Sequence, residues 1–455
     1  MFPYDSRMAS RARVRAWLGA IVAVIAAAGV ALVSLPGDEP GPLGQSGQGR
    51  PMGAVPPAEP SAVDVLRGDA VSALLERRAS AVRDRDRQAF LATVDPQAEP
   101  WFREAQQDLF DNLDGVPLAH WSYAVDPADV LDLAGLPDAD RTATELWAPG
   151  VELHYALRGV DTVPTARDMG YLFARRGDAW YLHSDTALSE LGRRTWRGPW
   201  DFAPCQVVAT DAGLVLAHPG SQPMVDRLVR ELDPAVRAVA DVWGADWSGK
   251  VALILPDSPA EMRALVGPDF PVESVVAVAT ADRVDTAANL AVGQRVVLSP
   301  VGARALSVAS LKVVLRHEIT HVAARGRTVD GSPMWLLEGF ADYVGYRDSG
   351  LTLAQGAPDL AALVRDTGAP PGLPDDRSFR ARDKELDLAY QQAWSIARFL
   401  AERFGERELV ELYRSVAGAG PVSAAETDSL LLAAVGLDRA ALLDEWRGHL
   451  KEVLG

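Results

Sequence analysis

Leu315-Arg316-His317-Glu318-Ile319-Thr320-His321, followed by Trp335-Leu336-Leu337-Glu338-Gly339-Phe340-Ala341-Asp342, organises the 455-residue chain. Side chains four apart on a helix leave the same face about one turn apart, so His317 and His321 can reach one tetrahedral metal ion. Glu318 points off that line, which frees its carboxylate to act as general base on a metal-bound water. The competing reading is an amphipathic helix that happens to carry two histidines. With only seven histidines in the chain, this spacing with a glutamate after the first is improbable by composition. Downstream, Ser332-Pro333 reads as the N-cap and first residue of a helix that opens at Met334. On that helix Glu338 and Asp342 stand at i and i+4 and share a face. Glu338 completes the ligand set. Asp342 suits the outer carboxylate to which a metal-bound imidazole donates its other N–H.

These segments resemble the gluzincin metallopeptidases, the group that contains thermolysin-like enzymes and zinc aminopeptidases. More closely, they resemble the bacterial peptidase MA-like domains, whose second helix carries a Trp-Leu-x-Glu-Gly-x-Ala-Asp signature. The resemblance covers residues 202–455 and implies Zn2+ held by His317, His321 and Glu338. It also implies Glu318 as the base, Asp342 as the residue that orients the first histidine, and hydrolysis of peptide bonds in a peptide or protein substrate. Related enzymes often place a tyrosine or histidine beside the metal as oxyanion donor, worth on the order of 3 kcal/mol. No histidine lies between His321 and His449. Tyr390, in Leu388-Ala389-Tyr390-Gln391-Gln392-Ala393-Trp394, is therefore the preferred donor, ahead of Tyr343 and Tyr346. The Gly-x-Met-Glu-Asn motif with which zinc aminopeptidases capture a free amino terminus is missing ahead of the metal helix, which favours internal cleavage or a specialised substrate.

Net charge is −17, from 45 basic and 62 acidic residues, which argues against a nucleic-acid partner. A single cysteine, Cys205, excludes an intrachain disulfide. Residues 16–35 carry no charge after Arg15 and are long enough at helical rise to cross a bilayer. Arg7, Arg11, Arg13 and Arg15 precede this run, while Asp38 and Glu39 follow it. The basic-inside bias then leaves residues 1–15 in the cytoplasm and the bulk of the chain outside. The rival is a cleaved signal peptide; the length of the apolar run favours an uncleaved anchor. Residues 36–61 are rich in Pro and Gly and read as a tether. The Ala-, Arg-, Gly- and Asp-rich composition points to a high-GC bacterial genome, so the expected location is the outer face of a cell membrane, single-pass.

Residues 62–190 read as helices followed by strands. Val71, Leu74, Leu75, Ala79 and Val82 keep helical spacing, Val151, Leu153, Tyr155 and Leu157 alternate with polar positions, and a hairpin turns at Gly177-Asp178. This order resembles the cone-shaped α+β fold of nuclear transport factor two and the SnoaL-like proteins. No site is evident there, so the region is expected to act as a spacer. Residues 192–204 read as the connection to a second α+β region of mixed sheet followed by helices. Strands are expected at 207–216, 251–255, 275–279 and 295–298, and helices at 386–404, 406–416 and 439–453. In a gluzincin-like fold the edge strand of this sheet lies along the cleft, where an extended peptide can add to it; either of the last two strands qualifies. The expected fold class is α+β behind a transmembrane helix. The expected function is that of a membrane-anchored zinc metallopeptidase; the alternative is a zinc-binding cell-surface scaffold or receptor without catalysis.

Overall fold

The structure, a computed structural model, describes residues 33–34, 61–136, 143–268, 270–273 and 275–455. These divide into two compact units, the first within Leu35–Val207 and the second within Val208–Gly455 together with residues 33–34. Both combine helices with sheets, so the chain is α+β. No helix of the described residues is long and apolar enough to cross a membrane. The membrane segment expected over residues 16–35 and the tether over 36–61 lie outside the described residues, apart from Val33, Ser34 and Ser61.

In the first unit, helix α1 (Ala62–Arg83) is capped by Ser61, whose hydroxyl accepts from the Asp64 N–H at 3.1 Å. It buries Val71, Leu74, Leu75, Ala79 and Val82, the positions its periodicity singles out. Helices α2 (Arg87–Leu91) and α3 (Pro100–Asn112) follow. Strands β1 (Leu118–Val130), β3 (Pro149–Leu157) and β4 (Thr165–Asp168) form one antiparallel sheet. A second contains β2 (Glu145–Trp147), β5 (Leu172–Arg176) and β6 (Ala179–Ser184). The expected hairpin is β5–β6, and the expected alternation holds along β3 as far as Tyr155. Ala156, on the polar phase, is buried as well. Helix α3 escapes the sequence reading because Glu99, at its N-cap, makes no side-chain cap bond and its start is marked only by Pro100.

The second unit is built on a mixed sheet, with strands β7 (Gln206–Thr210), β8 (Gly213–Ala217), β9 (Val251–Ile254), β10 (Ala277–Ala281) and β13 (Arg295–Leu298). Their spatial order is β10-β13-β9-β8-β7, with the two-residue strand Val33–Ser34 beside Thr280 and Ala281 of β10. Strands β13, β9 and β8 run parallel, whereas β10 is antiparallel to β13. Of the two edge candidates, β13 is internal, and β10 stands next to the end of the sheet, its Thr280 and Ala281 paired with Val33 and Ser34. The single strand expected over 207–216 is two strands. Gly213, at φ +146, lies flat against the backbone of Val251, where any Cβ would overlap the Val251 carbonyl. A short ribbon of β11 (Arg283–Asp285) and β12 (Leu290–Val292) follows β10.

Helices α4 (Gln222–Trp243), α5 (Pro259–Val266), α6 (Gly302–Ala305), α7 (Val308–Ala324), α8 (Met334–Tyr346), α9 (Leu353–Gly356), α10 (Pro358–Thr367), α11 (Asp383–Phe404), α12 (Glu406–Ala419), α13 (Ala424–Val435) and α14 (Arg439–Leu454) complete the unit. Helix α7 packs on α4, α8 and strand β10, and α8 packs in turn on α11. Leu311, Val314, Leu315 and Ile319 of α7 share one core with Trp243 of α4 and Phe340 of α8. From Val313 onward α7 lies almost wholly inside the fold, and Leu311, Val314, Leu315, Ile319 and Val322 keep at most 4% of their surface, whereas Val308 and Lys312 in its first turns face solvent.

Candidate metal centre

Helix α7 begins at Ser307, whose hydroxyl accepts from the Ser310 N–H at 3.0 Å. His317 and His321 leave its buried face with ring centroids 4.9 Å apart and planes inclined at 73°. Helix α8 starts at Met334, as expected, but its cap differs from the expected one. Ser332 turns its hydroxyl to the carbonyls of Val329 and Ala417, and the Met334 N–H is capped by Asp376 Oδ1 at 2.9 Å. This cap comes from a loop 42 residues downstream, beyond the reach of any local capping pattern. It fixes the start of the helix that carries Glu338.

The three expected ligands converge. His317 Nε2 and His321 Nε2 are 3.2 Å apart, and Glu338 Oε2 lies 3.4 Å from the first and 3.8 Å from the second. Two donors about 2.1 Å from one ion at the tetrahedral angle lie roughly 3.4 Å from each other. This triangle therefore has the edges that a four-coordinate ion of that bond length requires. Among the described residues, His317, His321 and Glu338 form a buried group that can hold a metal ion.

Electrostatics argue the same way. All four carboxylate oxygens of Glu318 and Glu338 are buried without a hydrogen-bond partner, although the Ala279 backbone amide of β10 lies close to Glu318. Two buried carboxylates offset only by the neighbouring histidines and one backbone amide are costly unless a cation joins them. Burial raises the Glu318 carboxyl above its ordinary value, against the pull of both histidines. Burial also acts to raise Glu338, but His321 and His317 outweigh it and lower that carboxyl.

Asp342 lies one turn beyond Glu338, and its Oδ1 accepts from His317 Nδ1 at 2.8 Å. With Nδ1 donating, Nε2 of His317 is left as the lone-pair nitrogen facing the shared point. Burial opposes charge on the His317 ring, yet Asp342 and Glu338 overcome it and hold the ring pKa well above the usual histidine range. A metal ion at this point would thus compete with a proton for the same nitrogen.

Tyr390 is buried on α11, with its ring edge-on to Phe379 at 5.3 Å. Tyr343 donates its hydroxyl to Glu406 Oε2 at 2.9 Å, and Tyr346 packs on Trp394 at 4.8 Å. Two further residues shape the centre, and of these only Tyr413 did not stand out in the sequence. Tyr413, on α12, packs on Phe340 at 4.8 Å, shares a hydrogen bond of 2.9 Å with Thr328 Oγ1, and feels the charge of Glu338. Gly339 presses against the backbone of Ala393 on α11 so closely that a Cβ would lie 2.8 Å from its carbonyl carbon. The glycine after the ligand glutamate, plain in the sequence, is thus a packing requirement. His321, Gln294 and residues 279–281 of β10 line a small cavity beside the centre.

The chain matches no family profile and no curated protein sequence.

Proposed function

We propose that this chain is a zinc metallopeptidase of the gluzincin type, with a SnoaL-like region preceding the peptidase region. The observation that carries the reading is the triangle of His317, His321 and Glu338, with edges of 3.2, 3.4 and 3.8 Å, beside the unpartnered Glu318 carboxylate. Zinc suits two imidazoles and one carboxylate, whereas Ca2+ and Mg2+ favour all-oxygen cages. When bound, zinc supplies Lewis acidity that acidifies a water and polarises a carbonyl. Glu318, kept basic by burial, takes a proton from the attacking water and delivers it to the leaving amine. Asp342 holds the His317 ring in place. Strand β10, outermost apart from Val33–Ser34 and lining the cavity at His321, is suited to receive an extended peptide by main-chain pairing.

A second reading is supported by burial. His317, Glu318 and Glu338 are 0% exposed and His321 only 3%, as in a metal site that serves a scaffold. One experiment separates the two. Purified protein is assayed for metal content and for chelator-sensitive cleavage of an unfolded protein substrate, with Glu318→Gln and His321→Ala as variants. The peptidase reading expects one zinc per chain, loss of cleavage with zinc retained in Glu318→Gln, and loss of zinc in His321→Ala. Zinc without cleavage supports the scaffold, and absence of zinc refutes both. The same proposal anchors the protein in a bacterial cell membrane through residues 16–35, with residues 61–455 outside; protease accessibility of whole cells tests that orientation.

A further inference from the structure

A cavity of about 290 Å3 opens beyond the C-terminal end of α8, and none of its lining residues belongs to the proposed ligand set. Its size is at the lower end of small-molecule sites, roughly 300 Å3 and upward. Trp394 and Tyr346, packed on each other with ring centroids 4.8 Å apart and 3% and 6% exposed, form an aromatic floor over which the Arg398 guanidinium lies 5.7 Å from the Trp394 ring. Two guanidinium groups and two carboxylates complete the lining: Arg347, Arg398, Asp348 and Glu402. Arg347 donates from Nε to Glu406 at 2.8 Å and stands 3.5 Å from Asp348 through Nη1. Arg398 donates from Nε to Glu402 at 2.7 Å and from Nη1 to the Leu351 carbonyl at 3.0 Å. Among the described residues, no hydrogen-bond partner engages the Nη2 group of either arginine.

A ligand of one charge sign would be attracted by half of this lining and repelled by the other half. A molecule that carries both signs beside a flat apolar group satisfies all of it. We propose that the cavity binds a free α-amino acid with an aromatic side chain. Its carboxylate accepts from Arg347 and Arg398, its ammonium donates to Glu402 and Asp348, and its ring lies against Trp394 and Tyr346. The wall of the cavity is continuous with the metal helix, because Arg316 Nη1, next to His317, donates to the Arg347 carbonyl at 2.8 Å. Occupancy is therefore coupled to metal affinity; that coupling, unlike the binding, rests on the proposed metal centre.

The test is calorimetric titration of the full-length protein with L-phenylalanine, against L-phenylalaninamide, N-acetyl-L-phenylalanine and L-alanine, which lack the carboxylate, the ammonium and the ring respectively. A ligand of this size is expected to bind with a low-millimolar Kd or tighter, and each comparator at least about fivefold more weakly. Arg398→Gln and Ala401→Trp, at part-exposed lining positions, are each expected to weaken binding at least about fivefold; because Arg398→Gln also loses the bonds to Glu402 and Leu351, Ala401→Trp is the deciding variant. Equal binding of phenylalanine and its comparators, no detectable phenylalanine binding, or unweakened binding in Ala401→Trp overturns the site. Zinc affinity, read by competition with a chromophoric chelator, is expected to shift at least about fivefold with phenylalanine present. An unchanged value with phenylalanine bound overturns the coupling and leaves the binding result standing by itself.

Discussion

Gly339→Ala sets two physical effects of opposite sign against each other. Alanine in a helix interior is favoured over glycine by about 1 kcal/mol, so a loosely packed α8 would be stabilised by the change. The structure predicts the reverse. The new Cβ would overlap the carbonyl oxygen of Ala393 and stand 2.8 Å from its carbonyl carbon, and relieving the oxygen contact requires α8 and α11 to part by about 1 Å. The obstruction is main chain, so no rotamer relieves it, and overpacking of this kind typically costs about 1–3 kcal/mol. Taking the upper end and subtracting the helix gain leaves a net loss of about 2 kcal/mol. For a unit of this size that corresponds to a fall in Tm of roughly 4–8 °C. Glu338 is the neighbouring residue, and metal geometry tolerates errors of only about 0.2 Å, so zinc binding is expected to weaken at least tenfold, on the order of the loss seen when a supporting group is removed. Differential scanning calorimetry and chelator competition read the two quantities. Ala393→Gly on the same background is expected to restore neither, because the clash is with the carbonyl. A Tm raised above wild type, with zinc affinity intact, would refute the close-approach argument.

Asp342→Asn replaces the carboxylate that accepts from His317 Nδ1 at 2.8 Å, and chelator competition should show zinc held about tenfold more weakly, or worse; unchanged affinity would remove Asp342 from its orienting role. In the first unit, burial pushes the Asp95 carboxyl up, but His183 and Arg176 prevail and hold it at about 2. That stabilisation, roughly 2 kcal/mol, is present above the unfolded value near 4 and is lost as pH falls toward 2. Burial pushes Asp201 up to about 6 against the opposing charge of Arg197. Its native form therefore favours the proton, and stability is lost as pH rises from about 4 to 6; with 14% of its side chain in solvent, the size is set at roughly 2 kcal/mol. Hydrogen exchange at the Leu182 amide, bonded to the Thr93 carbonyl at 2.9 Å, should slow to a protection maximum near pH 4 after correction for intrinsic rates, and a flat profile from pH 4 to 6 would count against the Asp201 assignment.

Much of the centre was legible in the sequence because its members lie close together on two helices. The four-residue spacing of His317 and His321, and of Glu338 and Asp342, is local information that helical periodicity turns into shared faces. The apolar runs that became α1, α7, α11 and the inner strands were legible for the same reason. What the tertiary structure decided lies between elements distant in the chain. Asp376 caps α8 in place of Ser332, and Tyr413 reaches the ligand helix from α12. Strand β10, and not β13, stands beside the end of the sheet, with only Val33–Ser34 beyond it. A turn at Asp211 and Ala212 breaks the expected strand in two, and Gly213, which opens the second strand, meets the Val251 backbone so closely that no Cβ fits. Each of these depends on which surfaces meet after collapse. Single-residue propensities and short spacings describe one element at a time, whereas caps, strand order and close backbone approach are properties of pairs brought together only by the packed core.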